Sequence, residues 1–174
     1  TTDSSVHLFV FDRNPSTEKV SLSPGRMHRT RGRARLGRVG TTNYSDTFIQ
    51  VADDCPVAAG EQPPDSGKGP AVAALQFAVI SANPYALTSD DVLFEVHARR
   101  NGIPSAARTA ARAAFFATSQ ACLRASPLAK RYGWGLHHDA ESRVALVPLG
   151  SDEYQRLVND PSVKQVKAMR SKRV

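Results

Sequence analysis

Apolar and polar positions alternate most cleanly in three short stretches of the chain. Residues 46–52 (DTFIQVA) set apolar Phe48 against polar Gln50, which suits an early strand. Residues 132–138 (YGWGLHH) and 144–149 (VALVPL), separated by a polar turn at 139–142, predict an antiparallel hairpin. Residues 71–82 (AVAALQFAVISA) are nearly continuous in apolar character. Their Val72, Leu75, Phe77, Val79 and Ile80 predict another strand, stopped by Asn83-Pro84. The period then changes. Thr88 or Ser89 caps a helix over 89–100, Asp90 and Asp91 suit its positive end, and Val92, Leu93, Val96 and the Phe94/His97 pair form its apolar stripe. Asn101-Gly102 ends it, and Ser105 starts a long Ala-rich helix over residues 105–124. That helix sets Arg108 and Arg112 outward, one turn apart, and Phe115, Phe116 and Leu123 toward the core.

Ser126-Pro127 begins one helical turn over 128–131. Ser151 caps a helix, with Asp152 and Glu153 in its first turn, that ends at Asn159-Asp160-Pro161. Residues 163–169 read as a final strand whose Lys164 and Lys167 give it one basic face. The order is β-β-α-α-β-β-α-β, which predicts a single α+β domain on an antiparallel sheet. Residues 58–70 (AAGEQPPDSGKGP) form a Pro/Gly loop suited to insertion or cleavage.

Charge changes the picture at one end. The net charge is +7, but residues 1–40 hold eight Lys/Arg against three acids, while residues 41–174 hold fifteen against thirteen. The basicity is therefore concentrated in an N-terminal stretch. Within it, residues 6–11 (VHLFVF) suit a short strand. Arg29, Arg31, Arg33, Arg35 and Arg38 then repel one another with little apolar surface to bury, which predicts disorder. Such an Arg tail reads either as an RNA-binding or localisation arm or as a non-native extension ahead of a domain covering 41–174. No apolar run approaches the length of a membrane span, and no secretory leader pattern is visible. Cys55 and Cys122 lack the spacing of a disulfide framework, so a cytoplasmic setting is expected.

The segments TTNYSDTFIQVADDCP, TSDDVLFEVHARRNGIP, QACLRASPLAKRYGWGLHHD, EYQRLVND and VKAMRSKR resemble a family of small bacterial and fungal proteins known only as a domain of unknown function. The resemblance covers Thr41 to the C-terminus. It implies that the domain starts near Thr41, and it brings no activity, cofactor or catalytic residue.

Candidate chemistry concentrates in residues 120–138 (QACLRASPLAKRYGWGLHH). Cys122 with His137 or His138 as base would make a nucleophile pair, although a helix C-terminus and nearby Phe115 and Phe116 suit a packed thiol better. Metal binding by His137, His138, Cys122 and Asp139 meets the objection that adjacent strand residues face opposite ways. No hydrolase triad, P-loop, dinucleotide fingerprint or zinc spacing appears, so no cofactor or metal is expected. The preferred reading is a non-enzymatic binding module for an anionic ligand, nucleic acid or protein partner. Its face would combine Arg124, Lys130, Arg131, Tyr132, Trp134, His137, Lys167 and Arg170, cations beside an aromatic platform. Gly133 and Gly135 would leave a bare strip opposite Tyr132 and Trp134 as a ligand groove, and Asp90, Asp91 and Glu95 could ion-pair with the basic strand. The alternatives are a small enzyme with a Cys122/His137 pocket and an interaction protein that works through a free sheet edge. The lysines alone also suit a solvated edge strand.

Overall fold

The computed structural model describes residues 40–64 and 71–171. The strand over 6–11 and the Arg-rich tail lie outside the described residues. In chain order the elements are β1 (Thr47–Gln50), α1 (Val72–Ala82), α2 (Ser89–Arg100), a 3-10 turn (Ser105–Ala107), α3 (Arg108–Phe116), a second 3-10 turn (Leu123–Ala125), α4 (Pro127–Arg131), β2 (Trp134–His138), β3 (Val144–Pro148), α5 (Asp152–Val158) and β4 (Lys164–Lys167). The fold is α+β.

The four strands form one sheet in the order β3-β2-β1-β4. The hairpin β2–β3 is antiparallel, as its turn requires, and β1 is antiparallel to β2. The expectation of a purely antiparallel sheet fails at β4, which runs parallel to β1. The cause is α5: a parallel neighbour needs a crossover, and a helix between β3 and β4 supplies one. The predicted basic face of β4 fails as well. Lys164 pairs with Thr47 and Lys167 with Gln50, three positions apart, so the two lysines point to opposite faces.

Residues 71–82 are a helix, not a strand. Ala73, Gln76, Val79 and Ile80 are its buried positions, the i, i+3, i+7 spacing of a helix face. The helix packs against α2, α4 and β3, so it is apolar nearly all round and its period is masked in the sequence. Gln76, buried at its centre, accepts a hydrogen bond from Ser126 Oγ at 2.7 Å. The long helix over 105–124 is also broken. It stops at Phe116 because Gln120 Nε2 donates to the Phe115 carbonyl at 2.6 Å, taking one of the groups that another turn would have used. Ser105 makes no cap, and Phe115 and Phe116 are half-buried outside the main core. The Thr88 cap of α2 forms as expected, as a reciprocal box with Asp91.

Side chains alternate across the sheet. Ile49, Leu136 and Val144 join α1, α2 and α4 in the larger core, while Phe48 and Val147 meet Tyr154 and Leu157 of α5 on the other face. The two glycines of the Gly-Trp-Gly step are required by this packing. Gly135 lies under the Phe48 ring, whose Cε2 and Cζ would be 2.6 Å from any Cβ there. Gly133 has φ +68° and sits against the Ala59 carbonyl. The strip opposite Tyr132 and Trp134 is therefore filled by protein and offers no groove.

This geometry separates two glycines. Gly150 also has a positive φ, +85°, but its nearest neighbour to an added Cβ is the Ala58 carbonyl oxygen at 3.5 Å. Gly150→Ala should cost about 1 kcal/mol of backbone strain, while Gly133→Ala adds a backbone clash and should cost about 3 kcal/mol. Urea unfolding followed by Trp134 fluorescence checks this, and equal losses at the two positions would refute the proposed clash.

Candidate functional site

Four of the cations singled out in the sequence gather where β4 meets the 53–56 loop and the end of α4. Arg124, in the second 3-10 turn, donates from Nε to the Lys167 carbonyl at 2.8 Å. Its own carbonyl accepts from Met169 N at 2.9 Å. Lys167 Nζ bonds Asp53 Oδ1, and Arg170 Nη2 stands 3.4 Å from Asp53 Oδ2. The Lys167 hydrogen bond comes first among the causes that hold the Asp53 carboxyl below the usual carboxylate range. Ser171 N donates to Asp54 Oδ2 at 2.8 Å, and Arg131 lines a cavity of about 340 Å³ with Asp54, Pro56 and Ser171. Ser171 Oγ is buried there without a hydrogen-bond partner among the described residues. Lys130 precedes Arg131 in the last turn of α4 and is half-buried. Lys167 and Arg170 thus share Asp53, Arg131 lines the cavity with Asp54, and Arg124 holds the Lys167 carbonyl, so the surplus is positive.

The aromatic residues do not join them as a platform. Trp134 tilts against Phe77 of α1 at 5.2 Å, and its Nε1 donates to the Glu61 carbonyl at 2.8 Å. Gly60 presses on the same indole, so Trp134 fastens the 58–62 segment to the domain. Tyr132 packs against the larger core, and its carbonyl accepts from Glu61 N at 2.9 Å. The acids of α2 are engaged elsewhere. Asp90 takes Thr41 and Thr42, Asp91 pairs with Arg112, and Glu95 pairs with Arg99 and Arg108. The basic strand is answered by Asp53 instead.

The histidines divide between the two faces of β2. His137 lies beside Phe48, and its Nδ1 is 2.8 Å from the Tyr85 hydroxyl. Tyr85 holds a positive φ of +53°, strained for a non-glycine residue, and marks a contact the sequence reading missed. A lone tyrosine after Asn-Pro gives no signal for it. His138 lies on the other face, fully buried, with Nε2 3.0 Å from Ser89 Oγ and its ring 5.4 Å from that of Tyr44. Tyr44 in turn donates its hydroxyl to Cys122 Sγ at 3.1 Å. Burial, followed by this bond, pushes the Tyr44 phenol up to about 12. Cys122 therefore belongs to the His138 face, and the structure does not bring it together with His137. Nor does Cys122 end a helix: it precedes the second 3-10 turn, six residues beyond Phe116.

Each sheet edge is met by neighbouring segments at a few backbone groups. The β4 edge loses the Lys167 carbonyl to Arg124, and the β3 edge gives the Val144 amide to the Leu87 carbonyl and the Val144 carbonyl to the Tyr85 amide. No group of three or more His, Cys, Asp and Glu suited to a metal occurs among the described residues. No helix among them is long and apolar enough to cross a membrane.

Fold and site together define a small α+β domain with a cation-rich corner beside one sheet edge. The chain belongs to a family of unknown function (DUF6157), matched over residues 39–174. No curated protein and no solved structure matches it.

The buried histidine has a consequence for stability. Burial drives the His138 imidazole down to about 4 from an ordinary 6.5, and burial also lowers His137. Between pH 6.5 and 4 the unfolded chain holds the His138 proton and the folded chain does not, so stability rises with pH across that window. The full span is worth about 3 kcal/mol for His138. Denaturant unfolding at stepped pH should show this loss on acidification, and His138→Gln should flatten it; an unchanged slope in that variant would remove His138 as the cause.

Proposed function

We propose that the domain is a non-enzymatic binding module for an anionic ligand, held at the corner formed by Arg124, Arg131, Lys167 and Arg170. The observation that carries this reading is the convergence of these side chains, from three separate segments, around only two carboxylates. Asp53 is already shared by two cations, so the remaining donors of Arg131, Arg170 and Arg124 are free to meet phosphate or carboxylate oxygens. Trp134 and Tyr132 are committed to packing, so a nucleic acid at this corner would be held by its backbone and not read by stacking. A cytoplasmic location suits Cys55 and Cys122, which are not bonded to each other. The domain in this reading begins near Thr41, and the Arg-rich stretch before it would add attraction of the same sign.

The test is calorimetric titration of the full chain with inorganic pyrophosphate and with a short single-stranded RNA at two salt concentrations. Binding should weaken with salt, and the double variant Arg131→Ala/Arg170→Ala should lose about tenfold or more in affinity. Retained affinity in that variant, with loss when Arg29, Arg31, Arg33, Arg35 and Arg38 are all changed to Gln, would transfer the binding to the N-terminal stretch and refute the corner.

A further inference from the structure

A second concavity lies on the far side of α2, where α1, α2 and α3 meet. Its volume is about 420 Å³, within the roughly 300–1,000 Å³ typical of small-molecule sites. Val79, Leu87 and Phe94 contribute apolar surface, and Val79 and Phe94 are themselves buried in the fold. Arg99 of α2 and Arg108 and Arg112 of α3 bring three guanidinium groups to the same wall, against two carboxylates, Asp91 and Glu95.

The hydrogen-bonding capacity of this wall is unequally used. Glu95 receives Arg99 Nε on one oxygen at 2.7 Å and Arg108 Nη1 on the other at 2.9 Å. Asp91 receives Arg112 Nη2 on Oδ1 at 2.9 Å, while its Oδ2 is taken by the Thr88 hydroxyl and amide. Every carboxylate oxygen is engaged. Each guanidinium carries five N–H donors on three nitrogens, and each meets these acids through only one nitrogen. Arg112 is also fixed in orientation, its guanidinium lying 5.5 Å from the Phe94 ring centre and 5.2 Å from that of Phe116. Those stacked faces hold the group in place while leaving its edge open. The arginine side chains keep between 37% and 46% of their surface, so a ligand can reach them.

A wall with its acceptors filled and its donors in surplus selects a ligand that brings acceptors. A positive balance of one selects a single negative charge, and the apolar floor selects a hydrocarbon body. We propose that this cleft is a ligand site for a small organic carboxylate with a short apolar chain or ring. The carboxylate would sit across Arg108 and Arg112, and its body would lie toward Leu87 and Phe94. This inference is independent of the corner near β4, which lies on different elements.

The experiment follows amide NMR shifts of the full chain during titration with hexanoate, hexylammonium and 1-hexanol in turn. Hexanoate should give saturable shifts centred on residues 91–95 and 108–112, with an affinity about tenfold or more above either of the other two. Arg108→Gln should weaken hexanoate by about tenfold. Thr109, exposed at the rim, provides a variant that leaves every charge in place: Thr109→Trp should block the cleft and abolish the shifts while thermal unfolding stays unchanged. The Arg131→Ala/Arg170→Ala protein should bind hexanoate as the unaltered chain does. Equal binding of hexylammonium, retained binding in Thr109→Trp, or loss of binding in the Arg131/Arg170 variant would each overturn the assignment. So would inorganic phosphate displacing hexanoate at equal concentration, because the apolar body would then contribute nothing.

Discussion

The packing of Phe48 onto Gly135 is the contact on which the rest of this small sheet depends. β1 is only four residues long and is buried on both faces, so each of its side chains must be matched by space in a neighbouring strand. Phe48 finds that space where β2 has no side chain. Its ring then meets Tyr154 edge-on at 5.0 Å, and the Tyr154 hydroxyl accepts the Val51 amide at 3.0 Å. Through that pair α5 is fixed over the sheet, and the position of α5 makes β4 the parallel partner of β1. Restoring a side chain at 135 would lift the ring, and with it the helix that delivers the last strand.

Placement of β4 has an electrostatic consequence. Its two lysines split between the sheet faces, so the strand alone makes no basic surface. A positive corner forms only because the chain turns back after β4 and sets Arg170 and Ser171 beside Asp53 and Asp54. The carboxylates at the start of that loop take up part of the charge and also position what remains. Arg124 does the same through the backbone, binding the Lys167 carbonyl at the end of β4.

Much of this was legible in the sequence where local chemistry decides the outcome. The hairpin, the Thr88 cap and the Ser151 cap were all visible because a turn or a cap is settled within a few residues. The family resemblance was visible too, and so was the α+β class. Residues 71–82 were misread because a helix enclosed by three elements has no polar face, and periodicity then carries no information. The parallel pairing of β4 and the facing of Lys164 and Lys167 were hidden because register follows from a crossover, not from the strand itself. Among the candidate site residues, Arg124, Arg131, Lys167 and Arg170 meet at one corner. Trp134 and His137 fall on opposite faces of β2, Trp134 against Phe77 and His137 beside Phe48, and neither joins the corner. The Cys122/His137 pairing fails for the same reason. The cleft on α2 and α3 was hidden because Arg108 and Arg112 read as outward-facing in a helix whose partner was unknown.

Net charge alone does not say what either concavity would hold, because a guanidinium that already faces a carboxylate still counts as one positive charge. The state of the acceptors is more informative. In the cleft every carboxylate oxygen of Asp91 and Glu95 is occupied, by Thr88, Arg99, Arg108 or Arg112, so a visiting cation would have to displace an existing ion pair. The Arg108 bond is the first cause that holds the Glu95 carboxyl below its ordinary range, and a depressed carboxylate is one that gains little from a further cation. A visiting anion displaces nothing, since the guanidinium edges that would receive it are unspent. Both concavities set those edges beside apolar surface: Pro56 at the β4 corner, and Val79, Leu87 and Phe94 in the helix cleft.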